Sequence, residues 1–265
     1  MTSLGLAFSD TAVVTKRNLI KIKRVPEILI WTTMSPIMFV LLFAYVFGEA
    51  IAIPEYREYL IAGVFAQTVV FGSTFTGAGL ADDITKGIID RFRSLPMSRT
   101  SVLAGRTASD IVYNSISIFV MSIAGLIVGW RIHTGVLEAA GGFLILLVFA
   151  YAISWIMAFF GLRVASLEVF QNASFMFIMP VTFVANTFVL PEQLPGPLQT
   201  FAEWNPLSAV AQAVREAFGN IPPGIPQPEA WSLQNPVVYT LIWVVIILAV
   251  FVPLSVRQFN KAAAR

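Results

Sequence analysis

No cysteine occurs among the 265 residues, so the chain forms no disulfide and offers no thiolate to a metal or to redox chemistry. Histidine is almost as scarce. His133 stands alone, which rules out a histidine-based metal cluster. There is no HExxH, no GxSxG and no GxxxxGKS/T segment, so the common zincin, hydrolase and phosphate-loop arrangements are all missing. Any ATP-driven work by this chain therefore requires another polypeptide. Charge is scarce as well: Asp, Glu, Lys and Arg make up 12% of the chain, against about 25% in a soluble protein. A globular core needs a charged surface around it, and these residues cannot supply one.

What fills the chain instead is apolar. Fully 57% of the residues are hydrophobic, 22 of them are Phe, and the mean hydropathy is +0.78. Uncharged stretches of twenty residues or more occur at 28–48, 59–81, 111–130, 139–162, 169–191 and 230–256. A helix rising about 1.5 Å per residue needs about 20 residues to cross a hydrocarbon layer of about 30 Å. Core helices of a soluble protein would still carry a polar face. The predicted fold is therefore an all-α integral membrane protein, a single domain over 1–265 with six transmembrane helices. The spans are expected near 28–48, 59–81, 107–130, 139–162, 169–190 and 236–256.

An even number of spans puts both termini on one side, and the basic residues say which. Fourteen of the 17 Lys and Arg residues precede the first span, join the second to the third, follow the fourth, or end the chain. The other face holds only Arg57, Arg131 and Arg215. The expected topology is a multi-pass cell-membrane protein with both termini cytoplasmic and an uncleaved first span. A pI near 9.0 does not indicate nucleic acid here, because the basic residues flank the spans. Anionic lipid headgroups are the expected partners of these side chains.

Three segments outside the spans have a readable pattern. Residues 6–25 place Phe8, Ala12, Leu19 and Ile22 on one helical face opposite Arg17, Lys21 and Arg24, as an interfacial amphipathic helix would. Residues 191–235 are proline-rich and predicted external. Within them WNPLSAVAQAVREAFGN reads as a helix capped by Asn205, with Pro206 in the first turn and Gly219 at its end. Its apolar Leu207, Val210, Ala211, Val214 and Phe218 suggest a re-entrant or interfacial cap. The third segment, DDITKGIIDRFRSLPMSR at 82–99, is the one sizeable cytoplasmic connector. Residues 82–95 are predicted as a short helix stopped by Pro96, with Ile84, Ile88 and Phe92 as an apolar stripe flanked by Asp83, Lys86, Asp90 and Arg93. Such a stripe can dock on a soluble partner or pack on the chain's own helix ends.

The span interiors carry little chemistry. Asp110 is placed near the cytoplasmic end of the third helix, and the deeper polar residues are neutral: Gln67, Asn114, Ser115, Ser117, Gln171, Asn172 and Asn186. These are more often interhelical hydrogen-bond partners than substrate ligands. An ion-coupled transporter or channel acting alone is thus the runner-up reading, and a metal-dependent lipid-headgroup enzyme built on Asp82, Asp83 and Asp90 a distant third.

The segment KGIIDRFRSLPMSRTSVLAGR resembles the cytoplasmic signature of ABC-2-type permeases, the membrane subunits of a class of ABC exporters. Gly87, Arg91, Leu95, Pro96, Ser98, Arg99 and Arg106 match that pattern, and WNPLSAVAQAVREAF is similar to the family's segment before the last span, through Asn205, Pro206, Arg215 and Phe218. The likeness is closest to the daunorubicin-resistance (DrrB-like) permeases. One departure is Asp82 or Asp83 where a glutamate is commoner.

The resemblance implies a dimer of permeases, identical or paralogous, bound to two cytoplasmic ATPase subunits that hold ATP and Mg. This chain itself would bind no cofactor. Residues 82–95 would be the coupling helix, with Asp83, Ile84, Gly87, Ile88, Asp90, Arg91, Phe92, Arg93, Pro96, Ser98 and Arg99 as the coupling residues. Hydrophobic or amphipathic cargo, drug or lipid-like, would pass outward along Gln67, Phe71, Phe75, Asn172, Phe175 and Asn186. Glycolipid or polysaccharide export is the alternative within the family.

Overall fold

The computed structural model describes residues 3–24, 34, 37–42, 45, 56–88 and 99–262, and no strand occurs among them. The helices are α1 (Ser3–Arg24), α2 (Tyr56–Thr85), α3 (Arg99–Ile127), α4 (Val136–Gly161), α5 (Leu167–Phe183), α6 (Gly196–Trp204), α7 (Pro206–Phe218), the single turn α8 (Trp231–Gln234) and α9 (Pro236–Ala262). Among the described residues, α2, α3, α4 and α9 are long and apolar enough to cross a membrane. They correspond to the second, third, fourth and sixth expected spans. Of the first, 28–48, residues 34, 37–42 and 45 are described, and Val40 among them is buried in the main core.

The fifth expected span, 169–190, is helical only as far as Phe183. Its 17 helical residues rise about 25 Å, a little short of the hydrocarbon thickness. The chain leaves the helix because tertiary partners take its backbone. Asn186 N donates to Ser208 Oγ at 2.8 Å, while the Thr187 and Phe188 carbonyls accept from Arg215 and from the Tyr56 hydroxyl.

Helix α2 is the centre of the bundle, buried along most of its apolar length, whereas α9 is mostly exposed along its own. It packs on α3, α4, α5 and α7. Small residues make this possible. A Cβ on Gly77 would collide with the Met157 carbonyl and the Phe170 ring, and one on Gly161 would collide with the Gly77 backbone. Two backbones in contact exclude lipid and gain dispersion energy where no hydrophobic drive exists between helices. Ser73 Oγ adds a bond to the Ala150 carbonyl across the same crossing, at 2.9 Å.

At one end of the bundle, the capped end, Phe65, Trp130, Phe143 and Phe218 form an aromatic cluster with ring centroids 4.8–6.1 Å apart. Its position explains α7. Asn205 Oδ1 accepts from Leu207 N at 3.0 Å, Pro206 opens the helix, and Gly219 closes it at φ 70°, as the sequence predicts. The helix does not lie along a surface, however. Leu207, Val210, Ala211, Val214 and Phe218 are buried against α2, α4 and α9.

The opposite, charged end carries α1, the end of α2 and the start of α3. Helix α1 turns Thr11, Val14, Thr15 and Asn18 to α3: Thr15 Oγ1 donates to the Gly105 carbonyl at 3.2 Å and Asn18 Nδ2 to Ser109 Oγ at 3.2 Å. Ala12, on the predicted apolar face, is exposed.

The predicted helix over 82–95 is not continuous. Residues 82–85 are the last turn of α2, which ends in a turn at Lys86 and Gly87. Gly87 sits at φ 64°, a left-handed conformation that a helix interior does not admit and that glycine adopts without strain. Ile84 is therefore on α2, whereas Ile88 lies beyond the turn. Asp90, Arg91, Phe92, Arg93, Pro96 and Ser98 lie outside the described residues, and Arg99 begins α3.

Candidate functional site

Three helices meet through one carboxylate at the charged end. Asp83 of α2 accepts Arg106 of α3 at 3.4 Å and Arg17 of α1 at 3.7 Å, both on Oδ2. One turn of helix aligns Asp82 with Lys86, whose Nζ lies 2.7 Å from Asp82 Oδ2. Arg17 and Lys86 are largely solvated, so each pair contributes about 0–1 kcal/mol. Their effect is to set the relative position of α1, α2 and α3 where the chain turns at Gly87.

Deeper, between α1, α2, α3 and α5, lies a cavity of 380 Å³. Asn18, Phe75, Arg106, Asp110, Tyr113 and Gln171 are on its lining. The Phe75 and Tyr113 rings stack at 5.5 Å with 12° between their planes. Asp110 is 3% exposed, and its Oδ2 takes three hydrogen bonds: from Thr76 N at 3.1 Å, from Thr76 Oγ1, and from Ser154 Oγ at 3.2 Å. One carboxylate oxygen thus ties α2 and α4 to α3.

The capped end is organised by a buried cation. Arg215 has no exposed surface; its Nε donates to the Tyr59 carbonyl at 3.1 Å, Nη1 to Asn186 Oδ1 at 2.8 Å and Nη2 to the Thr187 carbonyl at 3.0 Å. The guanidinium carbon lies 3.4 Å from the Tyr59 ring centroid, and the Tyr59 hydroxyl donates to the same Asn186 oxygen. Alongside, Asn220 receives Trp130 Nε1 at 2.7 Å and donates to the Arg131 carbonyl at 2.8 Å and to Glu58 at 3.2 Å. His133, predicted as a lone loop histidine, is half exposed and pairs with the same Glu58 oxygen at 2.7 Å. Replacing Asn220 with alanine leaves a buried indole N–H without its acceptor and is expected to cost about 2 kcal/mol. In a fluorescence size-exclusion melting assay, that variant should lose about 5 °C.

The sequence model of the ABC-2 type transporter family matches residues 9–218. The chain belongs to that family. The daunorubicin resistance ABC transporter permease protein DrrB1 of Streptomyces coeruleorubidus is 36% identical over 202 residues, which cover 76% of this chain and 71% of that protein. The probable doxorubicin resistance ABC transporter permease protein DrrC of Mycobacterium tuberculosis is 23% identical over 214 residues, 79% of this chain and 77% of its own. The chain is thus a membrane-embedded, multi-pass transport subunit of the ABC-2 type, and the family's partner is an ABC ATPase.

In this ABC-2 chain the six expected pathway residues do not meet. Phe75 reaches the cavity at the charged end. Gln67 is buried on α2 with neither end of its amide bonded to a described residue, and Phe71 packs on the main core. Asn172 and Phe175 face outward from α5. Asn186 is committed at the capped end to Tyr59 and Arg215, so its carbonyl oxygen is not free for a ligand. Of the cap residues, Asn205 also ties α7 to α5, donating to the Val181 carbonyl at 2.8 Å, Pro206 opens α7, Phe218 joins the aromatic cluster, and Arg215 bonds α7 to α2 and to residues 186–187.

Asp110, Thr76, Ser154 and Tyr113 were not singled out by the sequence as a site. The available signal was an ionisable residue inside the expected third span, a costly placement that usually marks function. Its partners are hydroxyls on other helices, and no spacing in one chain announces such pairs.

Proposed function

We propose that the chain is the membrane subunit of an ATP-driven exporter that moves a hydrophobic or amphipathic small molecule from the cytoplasm or inner leaflet outward. The observation that carries this reading is the match over residues 9–218 to the ABC-2 type family, together with relatives whose names refer to daunorubicin and doxorubicin resistance. The charged end is then cytoplasmic, in keeping with 14 of 17 basic residues on that side. Two permease subunits, identical or paralogous, act with two ATPase subunits that carry ATP and Mg.

The segment 82–99 is the docking element. It lies between two long helices, α2 and α3, whose ends are cross-linked through Asp83 to Arg106, so a push on it tilts both. Gly87 is the point at which the element leaves α2, and its sequence combines the apolar Ile84, Ile88 and Phe92 with the charged Asp90, Arg91 and Arg93. The external cap built on α7 closes the outer end of the path, as a re-entrant helix. The Arg215 network holds it shut on α2.

The double variant Gly87→Pro, Arg91→Glu tests the docking assignment. Proline cannot adopt φ 64°, and glutamate reverses the docking charge. The variant should insert in the membrane at wild-type level while co-purification with the ATPase falls at least tenfold. Undiminished ATPase binding would sink the assignment.

A further inference from the structure

We propose that the cavity between α1, α2, α3 and α5 is the entry site for cargo and that it takes an amphipathic organic cation, with the Asp110 carboxylate as counter-ion and the Phe75–Tyr113 ring pair as a platform. This rests on the exporter reading above and adds to it where the ligand first binds and what charge it carries.

The charges on the lining separate into engaged and unengaged groups. Lys86 is paired with Asp82 and Arg106 with Asp83. Asp110 lies one helical turn deeper than Arg106, and no basic group among the described residues is within ion-pair distance of it. Its Oδ2 is saturated by Thr76 and Ser154, whereas its Oδ1 takes none of the described hydrogen bonds. Asp110 is a buried acid on the cavity lining whose Oδ1 has no described partner, and a ligand ammonium or iminium beside it would supply that partner and favour the ionised carboxylate.

The rest of the wall sets the ligand's shape. Phe75 and Tyr113 are stacked with nearly parallel planes, at 12°, and a flat ring system can extend that stack, with cation–π attraction added for a charged one. Gln171 on α5 adds a side-chain amide to the lining. The volume of 380 Å³ is at the lower end of the range for drug-sized ligands, about 300–1,000 Å³. A purely structural Asp110 would hold α2, α3 and α4 together and be indifferent to ligand charge, and that difference is measurable.

The test uses the full-length chain co-purified with its ATPase subunit, without nucleotide, and two fluorescent probes of the same ring shape: cationic ethidium and uncharged phenanthridinone. Asp110→Asn preserves size and an acceptor for Thr76 and Ser154. It should raise the Kd for ethidium at least tenfold and change that for phenanthridinone less than twofold. Tyr113→Leu should weaken both at least fivefold. If ethidium binds Asp110→Asn as it binds wild type, the counter-ion is refuted. If Asp110→Asn does not assemble, Phe75→Leu and Tyr113→Leu decide the matter, because unchanged ethidium binding to both would refute the site. No ATP is present in these titrations, so absence of ATP-driven ethidium export from wild-type vesicles would count against the exporter reading and leave the binding result standing.

Discussion

Arg215→Ala is expected to abolish most of the folded protein recovered from membranes. The guanidinium is fully buried and fills three acceptors, the Tyr59 and Thr187 carbonyls and Asn186 Oδ1, on α2 and on the irregular stretch after α5. Alanine leaves the Thr187 carbonyl without its donor, at about 1–3 kcal/mol for a buried acceptor, and removes one of two donors from Asn186 Oδ1, which keeps the Tyr59 hydroxyl, and from the Tyr59 carbonyl, which keeps its bond within α2. The stacked contact with the Tyr59 ring disappears as well. Together with the cavity left by a fully buried side chain, these losses reach the lower end of the margin of about 5–15 kcal/mol by which proteins are stable. Arg215→Lys should recover little, since one ammonium on a flexible stem cannot reproduce a planar fork that spans three acceptors. Size-exclusion profiles of the fluorescently tagged chain would show the outcome: a monodisperse peak at wild-type height for Arg215→Ala would mean the network is ornamental. The same variant tells where the weak point lies, because residues 184–190 owe their non-helical path to these bonds.

Gly161→Leu is expected to be equally damaging for a different reason. A Cβ there meets the backbone of Gly77, which cannot turn aside as a side chain can. The two helices would have to separate along their whole contact, breaking the Ser73 bond to the Ala150 carbonyl and opening the α2–α4 crossing. Overpacking against movable side chains costs about 1–3 kcal/mol, and against backbone more. Gly141 is the matched control. It lies on the same helix with nothing within 4 Å of the position its Cβ would take, so Gly141→Leu should be tolerated. Equal recovery of the two leucine variants would show that the close approach does not support the fold.

Legibility from the sequence followed the range of the interactions. Where local chemistry decides, expectation and structure agree: the caps of α7 at Asn205 and Gly219 and the positions of α2, α4 and α9 follow from residues close in the chain. Where a segment ends by tertiary competition, they diverge. The uncharged run 169–191 reads as one span, yet α5 stops at Phe183 because Ser208, Arg215 and Tyr56 claim the backbone beyond it. The run 82–94 reads as one helix, yet α2 reaches only Thr85 because Gly87 takes a left-handed conformation that a periodicity argument does not see. The pathway residues chosen for polarity or aromaticity scattered for a related reason: a neutral amide says that it needs a partner but not whether that partner is protein or ligand, and for Asn186 it is Arg215.

The sequence by itself determined that this is a membrane protein of helices, where its charge lies, that the common ATP- and metal-binding motifs do not occur in it, and, through residues matching from 87 to 106 and from 205 to 218, the family to which it belongs. These are properties of composition, local spacing and short motifs. Only the tertiary structure decided that Arg215 is a buried tie and not a surface charge, that α7 packs inside the bundle, and that Asp110 meets Thr76 and Ser154 beside a cavity. Each of these depends on groups brought together from separate helices, and apolar spans say that helices will pack without saying which of their few polar side chains will face one another.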